Sequence, residues 1–184
     1  MEQVILVNEL DVEVGFADKI DAHKQALLHR AFSVFIFNSK GKMLLQKRAF
    51  DKYHSAGLWT NACCSHPKPG EELVIAAKRR LSEEMGINVV LEKAFDFIYK
   101  TEFNNGLTEY EFDHVLIGKS DSEIKPCTKE VADYCFKKIE EVEIELESHP
   151  QKYTEWFKIA FPKVKQVYNS KEVDKNCSLV RNRT

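Results

Sequence analysis

No apolar run in these 184 residues approaches a membrane span: the longest, Ala31 to Phe37, falls far short of the ~20 residues that a spanning helix requires. The N-terminus also lacks a basic segment followed by an apolar one, so a soluble, non-exported, cytoplasmic protein is expected. Charge of one sign is missing as well. Twenty-seven Lys and Arg stand against 29 Asp and Glu, a formal net charge of −2, which offers no general attraction to nucleic acid or to an anionic membrane. Any anionic ligand must then be held locally. Nor does cysteine supply a framework: five is an odd number, the spacing is irregular and Cys63 and Cys64 are adjacent, which suits a reducing compartment and leaves at least one free thiol. There is no internal repeat or low-complexity block, and the length suits one compact domain. Oligomeric state is not legible at this level.

Local patterning reads as an α/β domain. Val4 to Val7 and the alternation Val12, Val14, Phe16 predict two short strands, after which Asp18 is placed to cap a helix running toward Leu28. Residues 31–37 are rich in β-branched and aromatic types, and Asn38-Ser39-Lys40-Gly41 supplies turn chemistry before Met43 to Gln46, so a hairpin is expected. From Ala49 to Pro69 periodicity disappears while Gly, Pro, Ser and Asn accumulate, the pattern of a long loop. Leu73, Ala77, Leu81 and Met85 then recur every four residues, which predicts a helix from Glu71 to Met85 ended by Gly86. Strands follow at 89–99 and 111–117 around Asn104-Asn105-Gly106, another at 134–137, and a helix after Pro150 through Trp156 and Phe157. Interleaved strands and helices imply a mixed sheet with helices on both faces. Residues 1–168 make the domain, and 169–184, polar and rich in Lys and Arg, a loosely held tail.

Several residues have the chemistry of a site, each with an ordinary reading beside it. Arg79 and Glu83 sit four apart on a helix face, where such pairs are common surface features. His23, His29 and His66 with two carboxylates would form a nitrogen and oxygen set suited to Mg²⁺ or a first-row divalent ion, although a histidine taken singly is more often a surface or satisfied residue. His23 and His29 stand six positions apart and cannot share one helix face; a helix-to-strand corner would bring them together. Glu109 and Glu111 alternate along a strand and so point to one side. Two like charges facing inward are costly unless a cation or proton lies between them, and an exposed polar strand face is the plain alternative. Cys64, just before Ser65-His66, is either a small buried residue or a thiol able to pass a proton.

The combination decides among these. Glu71, then Arg79-Arg80-Leu81-Ser82-Glu83-Glu84-Met85-Gly86-Ile87, resembles the Nudix box, a loop and helix that set carboxylates beside a Mg²⁺-bound diphosphate. Ser65 stands where that box opens with Gly, and Arg80 replaces the Glu of its Arg-Glu pair. The stretch Trp59-Thr60-Asn61-Ala62-Cys63-Cys64-Ser65-His66-Pro67 is similar to the active-site segment of type I isopentenyl-diphosphate isomerases, Nudix-fold enzymes that do not hydrolyse. His29-Arg30-Ala31-Phe32-Ser33, Arg48, Lys52, Glu109-Tyr110-Glu111 and Trp156 follow in that family's order, so the resemblance covers roughly Lys19 to Trp156. Ala56-Gly57 departs from the usual Pro-Gly.

The resemblance implies conversion of isopentenyl to dimethylallyl diphosphate through a tertiary carbocation, in isoprenoid biosynthesis. It implies Cys64 and Glu111 as the two proton carriers, Tyr99 as their hydrogen-bonding partner and Trp156 as the aromatic wall behind the positive centre, where a desolvated cation gains up to ~2 kcal/mol or more. It implies a divalent ion, Mg²⁺, Mn²⁺ or Zn²⁺, on His23, His29, His66, Glu109 and Glu111, and a Mg²⁺ held by Glu84 that bridges to the diphosphate. Lys19, Arg48, Lys52 and Arg80 match the diphosphate-binding positions, with a small isoprenyl diphosphate as the ligand. A Nudix pyrophosphohydrolase and a non-catalytic metal-binding module are the competing readings; Arg80 counts against the first, and Cys64, Glu111, Tyr99 and Trp156 together against the second.

Overall fold

The computed structural model describes the backbone of residues 2–181 and the side chains of residues 2–170. In chain order the elements are β1 (Gln3–Val7), β2 (Glu13–Asp18), α1 (Lys19–Lys24), β3 (His29–Phe37), β4 (Met43–Arg48), β5 (Trp59–Thr60), β6 (Cys63–Ser65), α2 (Leu73–Met85), β7 (Leu91–Glu102), β8 (Thr108–Lys119), β9 (Val131–Lys137), α3 (Ile139–Ser148) and α4 (Glu155–Arg181), with a 3-10 turn at Pro150–Lys152. Among the described residues no helix is long and apolar enough to cross a membrane.

All nine strands join one mixed sheet, and β3 is its hub. It runs parallel to β8 from His29↔Glu111 to Phe37↔Lys119 and pairs antiparallel with β6 through Ser33↔Cys64. A strand covered on both faces carries an apolar run instead of an alternation, and here the run splits by parity. Phe32, Val34 and Ile36 pack with Ala77, Leu81 and Met85 of α2; Phe35 and Phe37 pack on the other side with Phe157, Phe161 and Val164 of α4. Fully burying such a side chain contributes roughly 1.5–3 kcal/mol, so these two layers hold the helices on opposite faces, as expected. Gly86 ends α2 with φ +70°, and a Cβ there would lie 2.7 Å from the Lys125 carbonyl oxygen, so glycine is required both by conformation and by space.

Several local expectations differ from the structure. The Asp18 cap forms, its carboxylate accepting from the Ile20 amide at 3.0 Å, but α1 stops at Lys24 because Ala26 turns left-handed at φ +52°. The hairpin after β3 is confined to Phe37↔Met43, since β4 leaves to pair with β5 and β9. The stretch expected as a loop from 49 to 69 contains β5 and β6, strands too short to leave a period in the sequence. Helix α3 was not anticipated: Val142, Ile144 and Leu146 alternate like a strand, although only Ile139 and Val142 are buried. The helix expected directly after Pro150 begins at Glu155, and its backbone continues through Asn169 to Arg181. The tail expected over 169–184 lies mostly outside the residues whose side chains are described.

Candidate active site

The parallel register of β3 on β8 sets His29 beside Glu111, and the site grows outward from that pair. His29 Nδ1 donates to the Leu27 carbonyl (2.8 Å), which turns Nε2 toward Glu111 Oε1 at 3.5 Å. His66, following β6, donates from Nε2 to the same oxygen at 3.0 Å. His23 on α1 is fully buried, with Nδ1 donating to the Lys19 carbonyl (2.6 Å) and Nε2 without a partner. The helix-to-strand corner thus does bring His23 and His29 together, with ring centroids 4.9 Å apart.

Donor atoms of His23, His29, His66 and Glu111 all lie within 4.8 Å of one another, as do those of His23, His54 and Glu109. Burial holds His66 down to about 4 and, with Arg48 adding to the effect, His54 down to about 3, so both rings are neutral at pH 7 and keep a lone pair to offer. Burial pushes Glu109 up, reinforced by the charge of Glu111. The same burial acts on Glu111, but hydrogen bonds from His29 and His66 outweigh it and keep that carboxyl well below the usual range. The buried Nε2 atoms of His23 and His29, without a hydrogen-bond partner, together with the His66 ring against Glu111 and the carboxylates of Glu109 and Glu111, fit a divalent cation, which would supply the missing positive charge.

Tyr99, paired with Glu111 across β7 and β8, lies with its hydroxyl 2.7 Å from Glu111 Oε2 and 3.0 Å from Glu109 Oε2. Cys64 faces the same pocket. Its sulfur accepts from Trp156 Nε1 at 2.9 Å and donates to Asn61 Oδ1 at 3.0 Å, with Ser33 Oγ 3.6 Å away. Asn61 spends both amide hydrogens on the Val34 and Cys63 carbonyls, so its oxygen is fixed toward the thiol. Burial, then the charge of Asp113, pushes the Cys64 thiol up, and the group rests protonated. The Arg48 guanidinium stacks 5.2 Å from the Trp156 ring.

The cationic end of the pocket lies along α2. Arg80 bridges to Glu84 (2.7 Å), whose other oxygen accepts from Gln46 at 3.0 Å; Arg80 also approaches Glu130 at 3.5 Å, and Lys52 bridges to Glu130. Nε of Arg48 and Nε of Arg80 are buried without a partner. Lys19 pairs with Glu2 at 3.2 Å. Glu71 holds Arg79 through two bonds of 2.7 and 2.8 Å, which ties the loop to α2 and keeps the Glu71 carboxyl down at about 2. Lys19, Arg48, Lys52, Cys64, His66, Arg80, Glu84, Tyr99, Glu109, Glu111 and Trp156 thus all line one pocket, and His23 and His29 join His66 and Glu111 beside it, whereas Glu71, Arg79 and Glu83 pair with one another outside it. Glu84 stands apart from both His/Glu groups.

Sequence reasoning missed three contributors. Asp113 continues the Glu109, Glu111 alternation, is pushed up to about 8 by burial and then by Glu111, and accepts from Ser33 at 2.7 Å; that alternation was a usable signal. Glu130 sits between Arg80 and Lys52 with no local mark in the chain. His54 lay in a segment read as loop.

Comparison with known proteins points the same way. The NUDIX domain family matches residues 27–157. An isopentenyl-diphosphate Delta-isomerase 2 of Photorhabdus laumondii is 50% identical over 157 residues, covering 85% of this chain and 89% of that one. A protein of the same name from Aromatoleum aromaticum is 47% identical over 163 residues, covering 89% and 86%. Among solved structures, the Deinococcus radiodurans protein DR0079 superposes with a TM-score of 0.73 over 88% of this chain and 98% of its own at 17% identity, a likeness of fold.

Proposed function

The chain belongs to the isopentenyl-diphosphate Delta-isomerase family of NUDIX-domain proteins and is an enzyme of that kind; from this premise we propose how its own residues interconvert isopentenyl and dimethylallyl diphosphate. The observation that carries the reading is the convergence on one pocket of a protonated thiol, Cys64, and a carboxylate bonded to a phenol, Glu111 with Tyr99. Double-bond transposition needs one proton delivered to the terminal alkene carbon and one removed from the carbon on the far side of the cationic centre. Cys64 and Glu111 are those two carriers: in each turnover one gives a proton and the other takes one, and exchange with solvent protons then returns both to their starting states. The face of Trp156 lies against the tertiary carbocation. Its N–H on the Cys64 sulfur steadies the thiolate that appears when that proton leaves.

His23, His29, His66, Glu109 and Glu111 would hold a divalent cation, which would supply positive charge against the two buried carboxylates. Lys19, Arg48, Lys52 and Arg80 hold the diphosphate, and Glu84 would hold a Mg²⁺ at that end of the pocket. Glu130 occupies the cations of Lys52 and Arg80 in the free enzyme and gives way to the ligand. Arg80 stands where hydrolases of this fold keep a carboxylate, which supports binding of the diphosphate over its cleavage.

Proton NMR in D₂O with isopentenyl diphosphate tests this directly. Loss of the vinylic signals, growth of the two dimethylallyl methyls and deuterium uptake are expected, all abolished when metal analysis verifies that the ion has been stripped. Phosphate release without a shifted double bond would overturn the assignment.

Lys52→Ala is expected to raise KM about tenfold or more with kcat little changed, because its cation meets the diphosphate equally in ground and transition states. Arg80→Ala should do the same and also lose about 1–3 kcal/mol of stability, since it removes the cation paired with buried Glu84 and leaves that carboxylate to neutral partners such as Gln46. Steady-state kinetics and urea unfolding report the two effects; an unchanged KM in both variants contradicts the diphosphate site.

A further inference from the structure

The segment between β4 and β5 carries a buried imidazole that this mechanism leaves unused. His54 is 8% exposed, with Nε2 3.3 Å from Glu109 Oε1 and Nδ1 3.3 Å from Ser55 Oγ. Its ring stacks on Phe103 with centroids 4.7 Å apart and an interplanar angle of 15°, and meets Tyr53 edge-on at 4.4 Å. Arg48 donates to the His54 carbonyl at 3.2 Å, while Asn105 from the β7–β8 turn donates to the Tyr53 carbonyl at 2.7 Å. The ring is therefore held from the backbone and from both sides, with Nε2 aimed at the Glu109 carboxylate.

His54, Glu109 and the unpartnered Nε2 of fully buried His23 form a set whose donor atoms lie within 4.8 Å, and His23 belongs equally to the set with His29, His66 and Glu111. We propose that His54 is a sixth protein ligand to the same divalent ion, completing a shell of four imidazoles with Glu109 and Glu111. The inference rests on the five-residue shell described above. With metal–ligand bonds of ~2.1 Å, neighbouring donors around an octahedral ion lie about 3.0 Å apart and opposite ones about 4.2 Å. The His54–Glu109 separation of 3.3 Å, His66–Glu111 at 3.0 Å and His29–Glu111 at 3.5 Å are the spacings of adjacent positions, reached before any ion draws them in.

Such a shell selects its ion. Mg²⁺ gives up its waters reluctantly and prefers oxygen, whereas four imidazole nitrogens suit a first-row transition ion, and six protein ligands leave no position for water. His54 therefore biases the buried site toward an ion such as Mn²⁺, and Mg²⁺ is left to the diphosphate end.

The test measures Mn²⁺ and Mg²⁺ binding by equilibrium dialysis with metal analysis on wild type, His54→Ala and His54→Gln, together with pulsed EPR of the Mn²⁺ forms containing ¹⁵N-labelled histidine. Expected are one tightly bound Mn²⁺ in wild type, a loss of affinity of about tenfold or more in both variants, a narrower Mn²⁺/Mg²⁺ preference, and disappearance of one imidazole coupling. Gln can still donate a hydrogen bond to Glu109 but is a poor substitute for an imidazole, so loss in Ala with retention in Gln would make His54 a support for Glu109 and overturn the proposal. Equal affinity and equal couplings in all three proteins would overturn the sixth ligand alone. Failure of wild type to retain any stoichiometric ion would overturn the five-residue shell as well.

Discussion

Cys64→Ser is expected to lower kcat by about 10²–10⁴-fold, toward the upper end, while bound metal stays at the wild-type level. A hydroxyl is a far weaker acid than a thiol, and it would have to yield its proton beside the Asn61 oxygen, in surroundings whose burial, with the charge of Asp113, already raises the thiol. The Trp156 N–H at 2.9 Å, which with the Ser33 hydroxyl and the Arg48 charge favours the deprotonated form, is placed for a large sulfur; the shorter C–O bond draws the oxygen away from it. The proposed shell of His23, His29, His66, Glu109 and Glu111 does not include Cys64, and neither candidate ligand group contains it, so the ion should be unaffected. Stopped assays with isopentenyl diphosphate and metal analysis of the same preparation report both quantities. If more than about a tenth of wild-type kcat survives, Cys64 is not an essential proton carrier and the mechanism fails at its centre.

Glu111→Gln should remove activity and metal together. Its carboxylate receives His66 at 3.0 Å, approaches His29 at 3.5 Å and takes the Tyr99 hydroxyl at 2.7 Å, so in the proposed mechanism one side chain serves the ion and the proton path at once. An amide is a poor proton carrier and offers one neutral oxygen to a site that otherwise keeps Glu109 as its remaining carboxylate. Turnover should fall by at least the same ~10²–10⁴-fold as for Cys64→Ser, and metal retained after dialysis should drop well below one per chain. Variants prepared in parallel give the contrast: serine at 64 separates the two losses and glutamine at 111 joins them. Full metal occupancy in Glu111→Gln would deny it the ligand role and leave it only the proton.

The stretch read as a loop, 49–69, and the segment 139–148, for which no element was anticipated, escaped the sequence for opposite reasons. In the first, β5 and β6 are strands of two and three residues that exist because β4 and β3 offer them partners; nothing within the segment announces them. In the second, a local alternation of period two competes with the helical period, and packing of Ile139 and Val142 against the α4 side of the sheet decides for the helix. His54 was lost with the first of these. A histidine in an apparent loop carries no sign of burial until Phe103 stacks on it.

By itself the sequence determined the kinds of group available: an apolar strand fit for the middle of a sheet, a four-residue repeat ended by Gly86, carboxylates alternating along one strand face, and a thiol two residues before a histidine. These are local facts, set by side-chain chemistry and by the periods of strand and helix. Tertiary structure alone decided which of them meet. The parallel register of β3 on β8 sets His29 beside Glu111, the antiparallel register of β6 on β3 sets Cys64 beside Ser33, and α4 returns Trp156 to the Cys64 sulfur from 92 residues away. Each of those encounters depends on a pairing between distant segments whose free energy comes from burying both faces of the sheet at once, and no period read along a single segment contains it.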